Sequence, residues 1–249
     1  MRQRPTTPIM RAMHANTIRT LNQINANFYA AVAADFDETR GTPWPGWKSL
    51  LPYCAGVKNV LDAGCGNGRF GLFLAESLDR PLRYHGVDFS EALLDVARSA
   101  LETDSRLAVR LTARDMIEHG MAPGLYDLVG AFGLMHHIPG REYRRLFIRQ
   151  LAGLVAPGGV LAVAFWRFLD SERLRKRVQP WPDELAAQVE QNDYLLDWRR
   201  GTQAVRYCHY HTDVEIDHLV IASGLRQCAR YRADGQDGSL NTYVVLTRD

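Results

Sequence analysis

No stretch of this chain is long and apolar enough to span a bilayer, and no segment is an internal repeat or given over to one residue type. A membrane is therefore not among the expected partners. Cysteine is scarce. Cys54, Cys65, Cys208 and Cys228 stand far apart without CxxC spacing, which argues against a zinc ribbon and a disulfide framework and suits a reducing cytoplasm; no metal is expected. An excess of one charge is lacking too. Lys+Arg 30 against Asp+Glu 28 leaves +2, so no global field announces nucleic acid, although local patches stay open. The first residues are basic but have no apolar stretch of the signal-peptide kind, and residues 1–15 read as a disordered tail. What remains, 46% hydrophobic and 10% aromatic over 249 residues, suffices for one α/β domain with additions.

The most informative segment is Val60-Leu61-Asp62-Ala63-Gly64-Cys65-Gly66-Asn67-Gly68-Arg69-Phe70. A buried strand over Asn59-Val60-Leu61 runs into an acid and then into glycines at alternating positions, and a helix with three-to-four spacing begins at Phe70. Such a turn exposes bare backbone to a flat, polar ligand. A second strand, Tyr84-His85-Gly86-Val87, delivers Asp88 about 20 residues further on, where a ribose-binding carboxylate belongs. Dinucleotide loops space their glycines as GxGxxG around a pyrophosphate; here the spacing is GxGxG after Asp62, which suits a cationic ligand better.

This loop resembles the (V/L)LDxGCGxGxF motif of class I S-adenosylmethionine-dependent methyltransferases, and further stations of that family follow in order. Val87-Asp88-Phe89-Ser90 resembles the ribose station, and Arg114-Asp115-Met116 the adenine station. Tyr126 to Phe132 resembles the fourth strand, and Leu154 to Leu161 the turn before the fifth. The resemblance implies S-adenosylmethionine as cofactor, held by Asp62, Gly64, Gly66, Gly68, Asp88, Phe89, Asp115, Met116 and Phe132, with Tyr29 and Arg40 reaching in from the preface. The implied fold is α/β: a seven-stranded, doubly wound, Rossmann-like methyltransferase sheet with an N-terminal helical cap. One domain over 16–249 is expected: a cap at 16–56, a cofactor-binding core at 57–168, a basic insertion at 169–205 and C-terminal strands at 206–249. Asp213 to Ser223 reads as a helix closed by Gly224, and Leu225 to Arg232 and Thr242 to Thr247 as the antiparallel sixth and seventh strands.

The acceptor must be argued from outside these motifs, because they recur across unrelated substrates. Tyr29, Ala33, Phe36, Thr39-Arg40 and Pro43-Trp44-Pro45 together resemble the entry segment of the wobble-uridine tRNA methyltransferases that esterify 5-carboxymethyluridine. Met135-His136-His137-Ile138 with the Arg-rich helix from Arg141, Arg206-Tyr207-x-His209, and Asn241-Thr242-Tyr243-Val244 are similar to further segments of that family. Departures are Thr242 for a Trp, Cys208 for a Tyr, and the loop Asp234 to Gly238, which lacks the usual Arg-Asp lead-in. The resemblance implies tRNA modification, with Arg40, Arg206, His136 or His209 holding an acceptor carboxylate. For a hydroxyl or amine acceptor one of the histidines would be a general base. Arg40 equally suits the methionine carboxylate, or a pair with Asp37 or Glu38, and His137 reads as a cap of the next helix. The run Ser171 to Arg177, with Trp198-Arg199-Arg200, reads either as a phosphate-contacting, base-stacking surface or as a solvated face. Two alternatives stand beside tRNA: a small-molecule O- or N-methyltransferase, and a non-catalytic binding partner. Some tRNA methyltransferases require a small activating subunit, so such a partner belongs to the first reading.

Overall fold

The computed structural model describes residues 12–38, 42–121, 123–200 and 202–249. Helix α1 (Ala15–Glu38) and a 3₁₀ segment over Pro45–Tyr53 precede β1 (Asn59–Ala63). Strands and helices then alternate: α2 (Arg69–Leu78), β2 (Leu82–Asp88), α3 (Glu91–Leu101), β3 (Leu107–Ala113), the single turn α4 (Met116–His119), β4 (Tyr126–Phe132), α5 (Arg141–Gly153) and β5 (Val155–Trp166). The short elements α6 (Glu172–Arg175), β6 (Val178–Gln179) and α7 (Asp183–Ala186) lead to β7 (Asp193–Arg200) and β8 (Thr202–His209). The chain closes with α8 (Asp213–Ser223), β9 (Arg226–Ala233) and β10 (Asn241–Thr247).

The expected seven-stranded sheet is present in the order β3-β2-β1-β4-β5-β10-β9. Its first five strands run parallel, and β10 inserts antiparallel between β5 and β9. The order reverses between β1 and β4, and in such sheets the crevice beyond the strand ends at the reversal receives the ligand. Helices cover both faces, as the nearly continuous apolar runs of the central strands require. Trp47, Phe70, Phe73 and Phe132 pack on one face, and Phe147, Ile148, Leu151, Ile216 and Leu219 on the other. Local chemistry sets the helix ends. The Ser90 hydroxyl accepts from Leu93 N, the Thr212 hydroxyl accepts from Glu215 N, and Gly224, at φ 68°, stops α8 where a side chain would be strained.

The region expected as a basic insertion is a second sheet, β6-β7-β8, all antiparallel. It runs through His209, so the boundary expected at 205/206 falls inside β8. Trp198, read as a surface stacking residue, is instead buried against Phe28 at 5.8 Å, in a cluster with Tyr29, Val32 and Leu93. That contact and the Asn25 side chain, which accepts from Tyr207 N at 2.9 Å, fasten α1 to the second sheet. Of the expected tail, residues 1–11 lie outside the described residues, and Ala15 already begins α1. Among the described residues no helix is long and apolar enough to cross a membrane.

Candidate active site

A cavity of about 480 Å³ opens at the sheet's reversal point, walled by the glycine loop, α1, the Trp44 segment and the second sheet. The loop is shaped by backbone that only glycine adopts without strain: Gly64, Gly66 and Gly68 have φ of 74°, 53° and 77°. A Cβ on Gly68 would lie 2.7 Å from Leu101 Cδ1, so this glycine also lets α2 close against α3. A Cβ on Gly66 would meet nothing within 4 Å, which leaves its backbone open to the cavity.

Two buried acids flank the loop. Asp88 accepts from Gly66 N at 2.9 Å and Ser90 N at 3.0 Å, and burial raises its pKa against these bonds. Asp62 accepts from the Tyr84 hydroxyl at 2.6 Å; burial pushes it up to about 7, with that hydrogen bond working against the rise. Asp115 lines the cavity with Met116, but its Oδ1 is committed to capping α4, accepting from Ile117 N and Glu118 N. The expected adenine contact therefore falls to its other oxygen. Phe132 and Phe89 also line the cavity, and Phe89 meets Tyr29 edge-on at 5.6 Å.

The opposite wall is aromatic and cationic. Arg206, 7% exposed, lays its guanidinium over Trp166 at 4.7 Å and Phe28 at 5.1 Å. His136 lies 5.0 Å from the Trp166 ring, and Arg173 and Arg177 of the basic run complete this side. Those two arginines were legible as charge, but nothing in a run of like residues shows which of them turn inward. Further in, Asp234 receives Gly46 N, the Asn241 amide and the Tyr243 hydroxyl, pinning the 3₁₀ segment to β10.

Two expectations need correction. His209 does not reach the cavity: its ring nitrogens lie 2.7 Å from Oδ1 of the buried Asp193 and 2.6 Å from Oε2 of the half-buried Glu215 on α8. His137 caps no helix, since Gly140 precedes α5; its nitrogens meet the Tyr207 carbonyl at 3.0 Å and the Tyr29 hydroxyl at 2.9 Å. Tyr29 lines the cavity from beneath that bond. Arg40 lies outside the described residues, as does the Phe36 side chain.

Residues 61–161 match the model of a methyltransferase domain. The mouse tRNA (carboxymethyluridine(34)-5-O)-methyltransferase ALKBH8 is 28% identical over 209 residues, 79% of this chain but only 29% of the mouse protein. The 27-O-demethylrifamycin SV methyltransferase of Amycolatopsis mediterranei is 27% identical over 221 residues, 80% of this chain and 79% of that protein. A solved S-adenosylmethionine-dependent methyltransferase of Clostridium acetobutylicum superposes with a TM-score of 0.64 at 13% identity, covering 90% of this chain and 99% of the other. The matched methyltransferase domain, the fold and the glycine loop are those of the class I S-adenosylmethionine-dependent methyltransferases, enzymes of the transferase class. Within that class the chain resembles the tRNA carboxymethyluridine methyltransferases, of whose curated members it spans about a third (29% and 31% of two of them).

The residues present fit the cofactor. Bare loop backbone at Gly66 admits it closely, Asp88 keeps acceptor capacity for ribose hydroxyls, and Asp62 offers a buried carboxylate to a cation. Bound there, S-adenosylmethionine supplies an electrophilic methyl on a sulfonium sulfur. A cation in the cavity favours ionised Asp62, so cofactor affinity is expected to rise from about pH 6 to about pH 8 as this group titrates near 7. Asp62→Asn should bind more weakly and with a flat profile, which calorimetry across that range checks. Stability of the free chain runs the other way. A raised carboxyl pKa means the folded state holds the proton more tightly, so this group's contribution falls between about pH 4 and about pH 7.

Proposed function

We propose that the chain transfers a methyl group to a carboxylate, and that the carboxylate is the 5-carboxymethyl group of a tRNA wobble uridine. The observation that carries this reading is the cationic wall: Arg206 held against the Trp166 and Phe28 rings, with Arg173, Arg177 and His136 on the same cavity. A guanidinium matches a carboxylate in two parallel hydrogen bonds, and the aromatic partners limit its other conformers. A carboxylate acceptor is ionised at neutral pH, so no base is needed. The protein's work is then to strip water from the nucleophile and align it with the methyl group. His136 acts in this scheme as a donor to the acceptor. The ALKBH8 resemblance supports the nucleoside identity, and the charged α6 segment supports a phosphate-bearing acceptor.

The test is transfer of labelled methyl from S-adenosylmethionine into total tRNA, with a pool of small metabolites in parallel and with cell extract added back to supply any activating subunit. Alkali-labile label in tRNA is the expected result. Label confined to a metabolite overturns the tRNA reading in favour of a small-molecule methyltransferase, a reading favoured by the match to the rifamycin enzyme over 80% of this chain and 79% of that protein. Arg206→Ala should lower kcat/KM by roughly 10- to 100-fold, the worth of a charge-assisted pair, while cofactor affinity stays within about threefold. Replacing Arg173 and Arg177 together with alanine should weaken tRNA binding and flatten its salt dependence. An unchanged salt slope would show that these side chains meet no phosphate.

A further inference from the structure

We propose that His209, His211 and Glu215 form a structural metal site for a divalent transition ion, zinc foremost. One ring nitrogen of each histidine and a carboxylate oxygen of Glu215 lie within 4.8 Å of one another. The independent sign is His211. It is 0% exposed, and neither its Nδ1 nor its Nε2 has a hydrogen-bond partner among the described residues. A buried imidazole is seldom left so, because each unmade bond costs about 1–3 kcal/mol.

The surroundings are those of a ligand set. Asp193 Oδ1 sits 2.7 Å from His209 Nδ1, the carboxylate–histidine pairing that orients a metal-bound ring, and this turns Nε2 toward Glu215 Oε2. Arg144 Nε donates to Glu215 Oε1 at 2.8 Å, which fixes that carboxylate, so Oε2, shared with His209 Nε2 at 2.6 Å, is the oxygen that would pass to the ion as the proton between them leaves. Glu190, the other acid bound by Arg144, adds a third carboxylate, so Glu190, Asp193 and Glu215 stand against the Arg144 guanidinium and the His209 ring. Arg167 approaches through the His211 carbonyl but is itself paired with Asp170 and Asp213. A dication meets this imbalance. Two nitrogens and one oxygen are borderline ligands, which suits zinc better than magnesium or calcium.

Two competing groupings are weaker. Neither holds a ring like His211 with both nitrogens unpartnered: in Glu190, Asp193 and His209 the ring meets two carboxylates, and in His136, His137 and Cys208 the His137 nitrogens meet Tyr29 and Tyr207. None of the three proposed ligands lines the cavity, so the ion takes no part in methyl transfer. It would clasp the end of β8 to the first turn of α8, and so anchor the sheet that carries Arg206.

The decisive measurement is metal content of the full chain, expressed with added zinc, freed of any affinity tag and dialysed, read by plasma mass spectrometry. About one zinc per chain is expected, with cobalt substitution giving the visible bands of a tetrahedral site. His211→Phe, which fills the same buried space without a ligand, should lose both signals yet still bind S-adenosylmethionine. Should that variant fail to fold, Glu215→Gln serves in its place. A wild-type chain that takes up less than about 0.1 equivalents of zinc or cobalt, or a folded variant that keeps the full amount, overturns the site.

Discussion

Asp88→Ala is expected to raise the dissociation constant for S-adenosylmethionine by at least about 100-fold, the equivalent of roughly 3 kcal/mol. The side chain does two jobs. One oxygen accepts from Gly66 N and the other from Ser90 N, so it holds the glycine loop against the start of α3 while facing the cavity. Removing it leaves a loop amide unsatisfied and takes away the acceptor for the ligand's hydroxyls. Asp88→Asn keeps one acceptor oxygen and should fall between. Calorimetric titration decides the matter, and a change of less than about threefold would mean that the loop's backbone alone binds the cofactor.

The largest expected loss of stability comes from Arg144→Met. Arg144 is 1% exposed and bridges Glu190 and Glu215 at 2.8 Å each, with a third bond to the Ile138 carbonyl at 3.3 Å. Methionine fills much of the space but removes the cation that the partly buried Glu190 and Glu215 share, a defect approaching that of fully buried pairs, about 3–5 kcal/mol. Urea unfolding measures it. Arg226→Met is the control, because its pair with Asp249 stands in solvent, and its transition midpoint should not move. Equal effects in the two variants would show that the Arg144 bridges are as weak as surface ones.

The parts of the molecule legible in the sequence are those whose meaning is local. An acid, three alternate glycines and a helix start within eleven residues determine their own backbone, and alternating apolar strands and helices determine a doubly wound sheet. The glycine-loop wall of the cavity, with Asp62, Asp88, Asp115 and Phe132, is therefore legible in the sequence. The second sheet was hidden because β7, Asp-Tyr-Leu-Leu-Asp-Trp-Arg-Arg, carries charges on a strand whose Asp193 is buried in an ion cluster, so its pattern reads as surface. His209 was misassigned for the same reason: its partners Asp193 and Glu215 come from different elements, and nothing adjacent to it announces them. Arg206 lines the cavity, but only the resemblance points to it in the sequence, since the rings that hold it come from α1 and β5.

Strand β8 sorts its side chains by parity. Ala204, Arg206, Cys208 and Tyr210 turn to the cavity and the aromatic packing beside it, whereas Tyr207, His209 and His211 turn to Asp193, Glu215 and their neighbours. Losing or gaining a single codon within 203–209 would exchange the two sets, sending a guanidinium into the ion cluster and an imidazole toward the acceptor. A point substitution at an even position therefore alters the cavity side alone, whereas any change of length within 203–209 alters the cavity and the ion cluster together.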